Sequence, residues 1–319
     1  MLKLGYHVSH EQFSPSSLLD YVVKAEKGGF SFALSSDHFY PWSNAQGHAG
    51  FAWSWLGAAL ARTCLPMGVV TCPYHRYNPA IIAQATATLL EMFPNRFFMA
   101  VGSGQMLNEG IVGKPWPTKM DRNQALEDAV KVMKQLWDGE EVYYSGHFDV
   151  RQAKLYTRPP HAPEILGAAI TPATAKFVSS WADGLITINK PMEEMEEMVE
   201  AWRSAGGKEK SMVLKLQVSY DPDREKAQKG AYEQWKTNIF GSHLLAQIRT
   251  PEQFEEAAEH VRPEDLHDHV LIGNNAEFFI EKIKAYHQLG FERISIHNVN
   301  KEQEPFIDFF SKEVLPAFE

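Results

Sequence analysis

Short apolar runs alternate along this chain with longer stretches in which apolar residues recur every three or four positions. This two-period pattern predicts most of the architecture. Strands are expected at 2–8, 32–36, 67–71, 97–101, 164–168, 184–188, 212–219 and 293–297. Helices are expected at 15–27, 51–61, 79–92, 122–137, 172–182, 192–204 and 276–289. Ser14-Pro15, Asn78-Pro79 and Thr171-Pro172 each join a capping side chain to a proline in the first turn, and Gly28-Gly29 marks a stop.

Strands and helices in that alternation are what a (β/α)8 TIM barrel requires. Two segments exceed ordinary loop lengths. Within 138–163, residues 142–150 alternate around Ser145-Gly146 and predict a hairpin insertion; residues 220–270 are polar and helix-rich, as expected of a lid over one end of the barrel. With no internal repeat, low-complexity tract or linker, a single domain over 1–319 carrying both insertions is expected. An open doubly wound sheet is the alternative, but it calls for a glycine-rich turn after the first strand, and Ser9 to Phe13 contain no glycine.

Composition narrows the function. The 319 residues are 44% hydrophobic and 22% charged, ordinary for a globular protein. Net charge is −9, from 31 Lys and Arg against 40 Asp and Glu, and no basic block suggests nucleic acid. No run approaches the ~18 apolar residues of a membrane span. Residues 1–9 lack the basic and apolar regions of a signal peptide. Cys64 and Cys72 offer neither a disulfide framework nor metal-type spacing, so a reducing cytoplasm is expected.

In parallel α/β folds, ligands lie beyond the carboxyl ends of the strands. The second strand stops at Ser36-Asp37-His38, with Pro41-Trp42 following. An imidazole there can exchange protons near neutral pH beside an orienting carboxylate, although a turn cap and a histidine bonded to a buried carbonyl would use the same residues. The fourth strand runs into Gly102-Ser103-Gly104-Gln105, with Asn108 and Glu109 beyond, where backbone can approach a flat or anionic ligand or simply turn. The third ends at Val70-Thr71-Cys72, followed by Arg76, and the fifth leads through Ala169-Ile170-Thr171 into a helix start suited to phosphate or simply capped. His267, Asp268 and His269 resemble metal ligands but lack a second cluster.

Several of these stretches together resemble the luciferase-like flavin and deazaflavin oxidoreductases. They are Leu4-Gly5-Tyr6 with Glu11-Gln12-Phe13, Ser36 to Phe39 with Pro41-Trp42, Arg76 to Ala80, Pro94 to Phe97, Gly102 to Glu109, Trp181 to Gly184, and Ser219 to Pro222. The nearest branch resembled is the deazaflavin-dependent glucose-6-phosphate dehydrogenases with their non-deazaflavin flavinoid relatives. The resemblance implies a (β/α)8 barrel, usually a homodimer, holding an isoalloxazine-type ring at its carboxyl face. It implies cofactor contacts from Asp37, Val70, Thr71, Gly102, Gly104 and Asn108, and phosphate contacts from Ala169, Ile170 and Thr171. A non-prolyl cis peptide is implied between Val69 and Val70. His38 would handle the proton beside the reactive ring carbon and Trp42 would stabilise the reacting species.

Two departures bear on the chemistry. Gln105 stands where the sugar-phosphate branch has a glutamate acid, and an amide cannot donate a proton from an acid state, leaving Glu109 as a displaced substitute. Of that branch's phosphate-binding lysines only Lys190 has a counterpart; with His297 it completes the substrate-side candidates, and glucose 6-phosphate is not expected. The reading is an oxidoreductase acting on a small molecule by hydride transfer or monooxygenation, with FMN ahead of coenzyme F-420, the 8-hydroxy-5-deazaflavin. The alternatives are a deazaflavin-dependent dehydrogenase not specific for glucose 6-phosphate, a flavin-binding protein without turnover, and a barrel hydrolase with Asp37, His38 and His297 around a metal.

Overall fold

The computed structural model describes residues 2–319. In chain order the strands are β1 (Lys3–Val8), β2 (Ala33–Ser36), β3 (Met67–Thr71), β4 (Phe97–Val101), β5 (Val142–Ser145), β6 (Asp149–Ala153), β7 (Ile165–Ala168), β8 (Gly184–Ile188), β9 (Ser211–Tyr220), β10 (Leu271–Gly273) and β11 (Arg293–Asn298). The helices are α1 (Pro15–Lys27), α2 (Ala52–Arg62), α3 (Pro79–Met92), α4 (Met106–Glu109), α5 (Lys119–Asp138), α6 (Pro172–Val178), α7 (Met192–Trp202), α8 (Arg224–Trp235), α9 (Ser242–Gln247), α10 (Pro251–Ala257), α11 (Ala276–Gln288) and α12 (Gln303–Phe309).

Eight parallel strands close on themselves in the order β9, β11, β1, β2, β3, β4, β7, β8, with β8 paired back to β9. The fold is a (β/α)8 barrel. The short β10 extends the sheet beside the carboxyl end of β9, and β5 and β6 form a separate antiparallel hairpin. The proline-led helices start where their capping side chains stand: Ser14 accepts from the Ser17 amide, Asn78 from Ala80, and Thr171 from Thr174. Helix α5 begins three residues earlier than the apolar period suggests, because Thr118 caps it and accepts from the Asp121 amide.

The lower barrel is filled by Phe32, Leu34, Phe98, Ala100, Leu166, Ile186 and Val213. Gly68 makes room for one of these rings, since a Cβ there would overlap Phe98. Above this plug the interior opens into a space lined by both apolar and polar side chains. No cis peptide bond occurs among the described residues, which corrects the expectation for Val69–Val70. That linkage lies in an unbroken ladder, with Val69 and Val70 opposite Ser35 and Ser36 on one side and Met99 and Ala100 on the other, a register that a trans peptide maintains.

Segment 221–270 folds back across the carboxyl ends of the strands. Its anchor is an apolar cluster of Trp42, Leu107, Leu245, Ile248 and Phe254, in which Phe254 is fully buried. Burial of one such side chain contributes about 1.5–3 kcal/mol.

Candidate active site

A cavity of about 760 Å³ opens at the carboxyl ends of the barrel strands. A smaller hollow of about 190 Å³ lies at the opposite end, around Phe97 and Glu164, where barrels carry stability rather than chemistry. The large cavity brings together Asp37, His38, Trp42, Val70, Thr71, Gly102, Gly104, Gln105, Asn108, Glu109, Ala169, Ile170 and Thr171. Two substrate-side candidates lie elsewhere. Lys190 follows β8 and pairs with Glu194 at 2.9 Å on the outer surface. His297 is sealed off from the cavity, 1% exposed, with Nε2 2.9 Å from the Gln12 Oε1 and its ring against those of His7 and Trp235. Its position also separates it from Asp37 and His38, and the described residues contain no cluster of three His, Cys, Asp or Glu able to hold a metal.

Asp37 is buried and its carboxylate is fully engaged. Thr71 Oγ1 donates to one oxygen at 2.7 Å, Tyr77 Oη to the other at 2.9 Å, and Arg76 pairs with it at 3.1 Å. The residue therefore fixes the ends of β2 and β3 against one another, with Arg76 also donating to the Asp37 carbonyl. Glu109 accepts from the Arg76 amide at 2.9 Å, and burial raises its carboxyl to about 7 despite the guanidinium. Gly104 holds a left-handed φ of +77°, and a Cβ there would stand 2.9 Å from both Cys72 Sγ and Glu109 Cγ.

His38 follows β2 and faces the cavity beside Trp42, ring centroids 5.2 Å apart. Its Nδ1 lies 3.3 Å from Glu11 Oε1, an ion-pair separation without hydrogen-bond alignment. Burial lowers its pKa, opposed by the Glu11 charge, so the ring is neutral at pH 7. Glu11 is buried yet held below the usual carboxylate range: burial pushes it up, but His38, Lys215 and a 2.7 Å hydrogen bond from Ser36 outweigh that.

Glu11 comes from the turn after β1 and is missing from the candidates read off the sequence. So are His7, with both ring nitrogens unpartnered, Lys215 from β9, and the α9 residues Ser242, His243 and Leu245 on the far wall. Glu11 follows a strand end just as Asp37 does, so the same signal marks it. Lys215 interrupts the apolar run of β9, the one sequence clue to its inward side chain.

Asn108 Oδ1 accepts from the Phe39 and Tyr40 amides at 2.9 and 3.3 Å and so ties the loop after β2 to α4. Gln105 caps α4 by position only, without a side-chain hydrogen bond, and lines the cavity. Thr171 caps α6, placing the 169–171 backbone on the wall.

Residues 2–293 match the luciferase-like monooxygenase family. The chain belongs to that family. A relative from Segniliparus rotundus named F420-dependent glucose-6-phosphate dehydrogenase is 35% identical, over 99% of this chain and 97% of its own. One of the same name from Mycobacterium tuberculosis is 34% identical over the same shares. A solved structure described as an F420-dependent secondary alcohol dehydrogenase in complex with an F420-acetone adduct has a TM-score of 0.91 at 30% identity, covering 100% of this chain and 99% of the other. The oxygenating component of a Pseudomonas putida 3,6-diketocamphane monooxygenase, in complex with FMN, shares the fold at a TM-score of 0.74 and 16% identity. Among luciferase-like proteins, then, likeness in sequence runs toward those named F420-dependent. No helix among the described residues is long and apolar enough to cross a membrane.

Proposed function

We propose that this luciferase-like oxidoreductase is a deazaflavin-dependent dehydrogenase of a small hydroxy or carbonyl compound other than glucose 6-phosphate. The names of its relatives turn the cofactor from FMN, first expected, to the deazaflavin. The cavity suits such a group. Val70, Ala168, Ile186 and Ile188 give it an apolar wall, while Ser103, Gln105 and Thr174 supply polar groups for the edges of a flat heterocycle. Val70, Thr71, Gly102 and Asn108 would hold the ring, and Ala169, Ile170 and Thr171 the tail phosphate. Bound there, the deazaflavin supplies a hydride acceptor or donor.

The observation that carries the reading is the pair of His38 and Glu11 at the cavity edge, 3.3 Å apart. The negative charge of Glu11 on the Nδ1 side favours the proton on that nitrogen and Nε2 as the acceptor. His38 Nε2 then takes the hydroxyl proton of an alcohol as its carbinol hydrogen departs as hydride, and Glu11 stabilises the imidazolium. In the reverse direction the imidazolium returns the proton to a carbonyl oxygen. Trp42 and the cluster around Phe254 exclude water on this side. Gln105 orients substrate by hydrogen bonds and donates no proton.

The same reading takes 1–319 as one barrel domain, with 138–163 as a hairpin insertion and 220–270 as a lid. It takes the protein as a cytoplasmic homodimer whose partners are small molecules rather than nucleic acid or membrane. The test of the cofactor is a fluorescence titration of purified protein with FMN and with coenzyme F-420. Saturable quenching at lower concentration for the deazaflavin is expected. Preference for FMN, or failure of both, overturns the proposal.

A further inference from the structure

Lys215 is a cation that the fold places on the cavity floor and leaves unpaired. It lies on the inner face of β9, opposite Ile188 of β8 and Ser295 of β11, and lines the cavity with His7 and His38. Among the described residues its ammonium enters no ion pair and no hydrogen bond; it stands over the Trp235 ring, 5.5 Å from nitrogen to ring centroid. The surface it keeps is the surface of the cavity, so the group is withdrawn from bulk water. Its charge acts on Glu11, His38, His7 and His297. Of the two cations that His38 feels, Arg76 is taken up by Asp37, whereas Lys215 is free.

A buried ammonium whose one opposing carboxylate, Glu11, makes no direct ion pair with it is costly, and an anionic ligand in the cavity would supply the missing contact. Burial lowers Lys215 to about 8, with Glu11 opposing, so the ammonium form dominates at neutral pH. The missing charge is a single one. A lysine offers one point charge, and the Glu11 carboxylate within electrostatic reach repels a dianionic phosphate more than a monoanion. The same group lines one cavity with His38 and its charge reaches that ring, so the anion belongs close to the reacting carbon rather than at the end of a long substrate. Lys190, by contrast, is neutralised outside the cavity.

We propose that Lys215 is a specificity-determining residue that binds the carboxylate of a short hydroxy acid, directing the carbinol carbon toward the cofactor and its hydroxyl toward His38. This deepens the dehydrogenase reading and rests on it for the redox step. In that step the carbinol C–H bond breaks and its hydrogen leaves with both electrons to the oxidised deazaflavin. The hydroxyl proton passes to His38 and the product is the oxo acid.

The test compares lactate, lactamide and propan-2-ol, which share a methyl carbinol and differ in whether the third substituent is an anion, its neutral amide or a methyl group. Calorimetric binding is measured on the protein with and without deazaflavin, for wild type, Lys215→Met and Lys215→Arg, and hydride transfer is followed as loss of deazaflavin fluorescence. Wild type is expected to bind lactate at least tenfold more tightly than lactamide and to oxidise it with the higher kcat/KM. Lys215→Met removes the preference while still binding lactamide and propan-2-ol as before, and Lys215→Arg retains part of it. Equal binding of lactate and lactamide by wild type, or an unchanged preference in Lys215→Met, overturns the assignment. A persisting lactate preference with no hydride transfer from any of the three supports the anion site and sinks the dehydrogenase reading instead.

Discussion

Replacing Glu11 by Gln removes one charge from beside His38 and nearly nothing else, since the amide oxygen can still accept from Ser9 and Ser36. At the observed 3.3 Å, the attraction between Glu11 and the imidazolium is about 5 kcal/mol at an effective dielectric of 20 and about 1 kcal/mol at that of water. That attraction favours the charged ring, so without it the imidazole holds its proton more weakly. The direction is fixed: Glu11 holds His38 up against burial, so its removal lowers the imidazole further below 6.5. Lys215, raised by the same carboxylate, falls below its value of about 8. Imidazole resonances followed by NMR against pH report the first shift, and the acid limb of kcat/KM should move down with it. A His38 pKa that stays or rises in Glu11→Gln refutes the pairing.

Three further outcomes follow from the same geometry. His38→Ala should retain deazaflavin binding in a fluorescence titration while kcat falls about 10²–10⁴-fold, the usual contribution of a positioned acid–base group; unaltered turnover would leave His38 without its role. Asp37→Asn leaves Arg76 without its closest counter-charge and offers Thr71 and Tyr77 one acceptor oxygen between them, so urea denaturation should show a loss of about 3 kcal/mol. His10 is lowered to about 4 by burial and is neutral when folded, with Nε2 2.7 Å from Ser35 Oγ. The unfolded chain binds that proton more readily, so folding stability is intact above about 6.5 and declines as pH falls toward 4; at pH 4.5 this group alone should cost about 2–3 kcal/mol by urea denaturation.

Where local signals and global fold agree, the sequence is transparent. Ser14-Pro15 and Asn78-Pro79 start helices because cap and proline act within one turn, and α1 and α3 begin at those prolines. Asp37, His38, Gly102 and Thr171 reach one cavity because barrel closure gathers the strand ends wherever those strands begin. Other residues depend on distance. Lys190 follows a strand end too, but Glu194 one helical turn away draws it outward. His297 is on an inward-facing position level with Gln217, yet Gln12, His7 and Trp235 pack against it and keep it from the ligand space. Lys215 is at the right depth on a strand that reads as uniformly buried, and only the closure of β8 and β9 shows that its inner face meets the cavity. The α9 wall comes from a segment joined to the barrel by the Trp42–Phe254 contact, 212 positions apart in sequence.

The most direct measurement is a crystal structure of the protein grown with oxidised coenzyme F-420. The account predicts the tricyclic ring against Val70 and Ala168, with its hydride-accepting carbon open to the space bounded by His38 Nε2 and Lys215. A ring bound outside the barrel mouth, or one turned so that His38 faces only the tail, would contradict it.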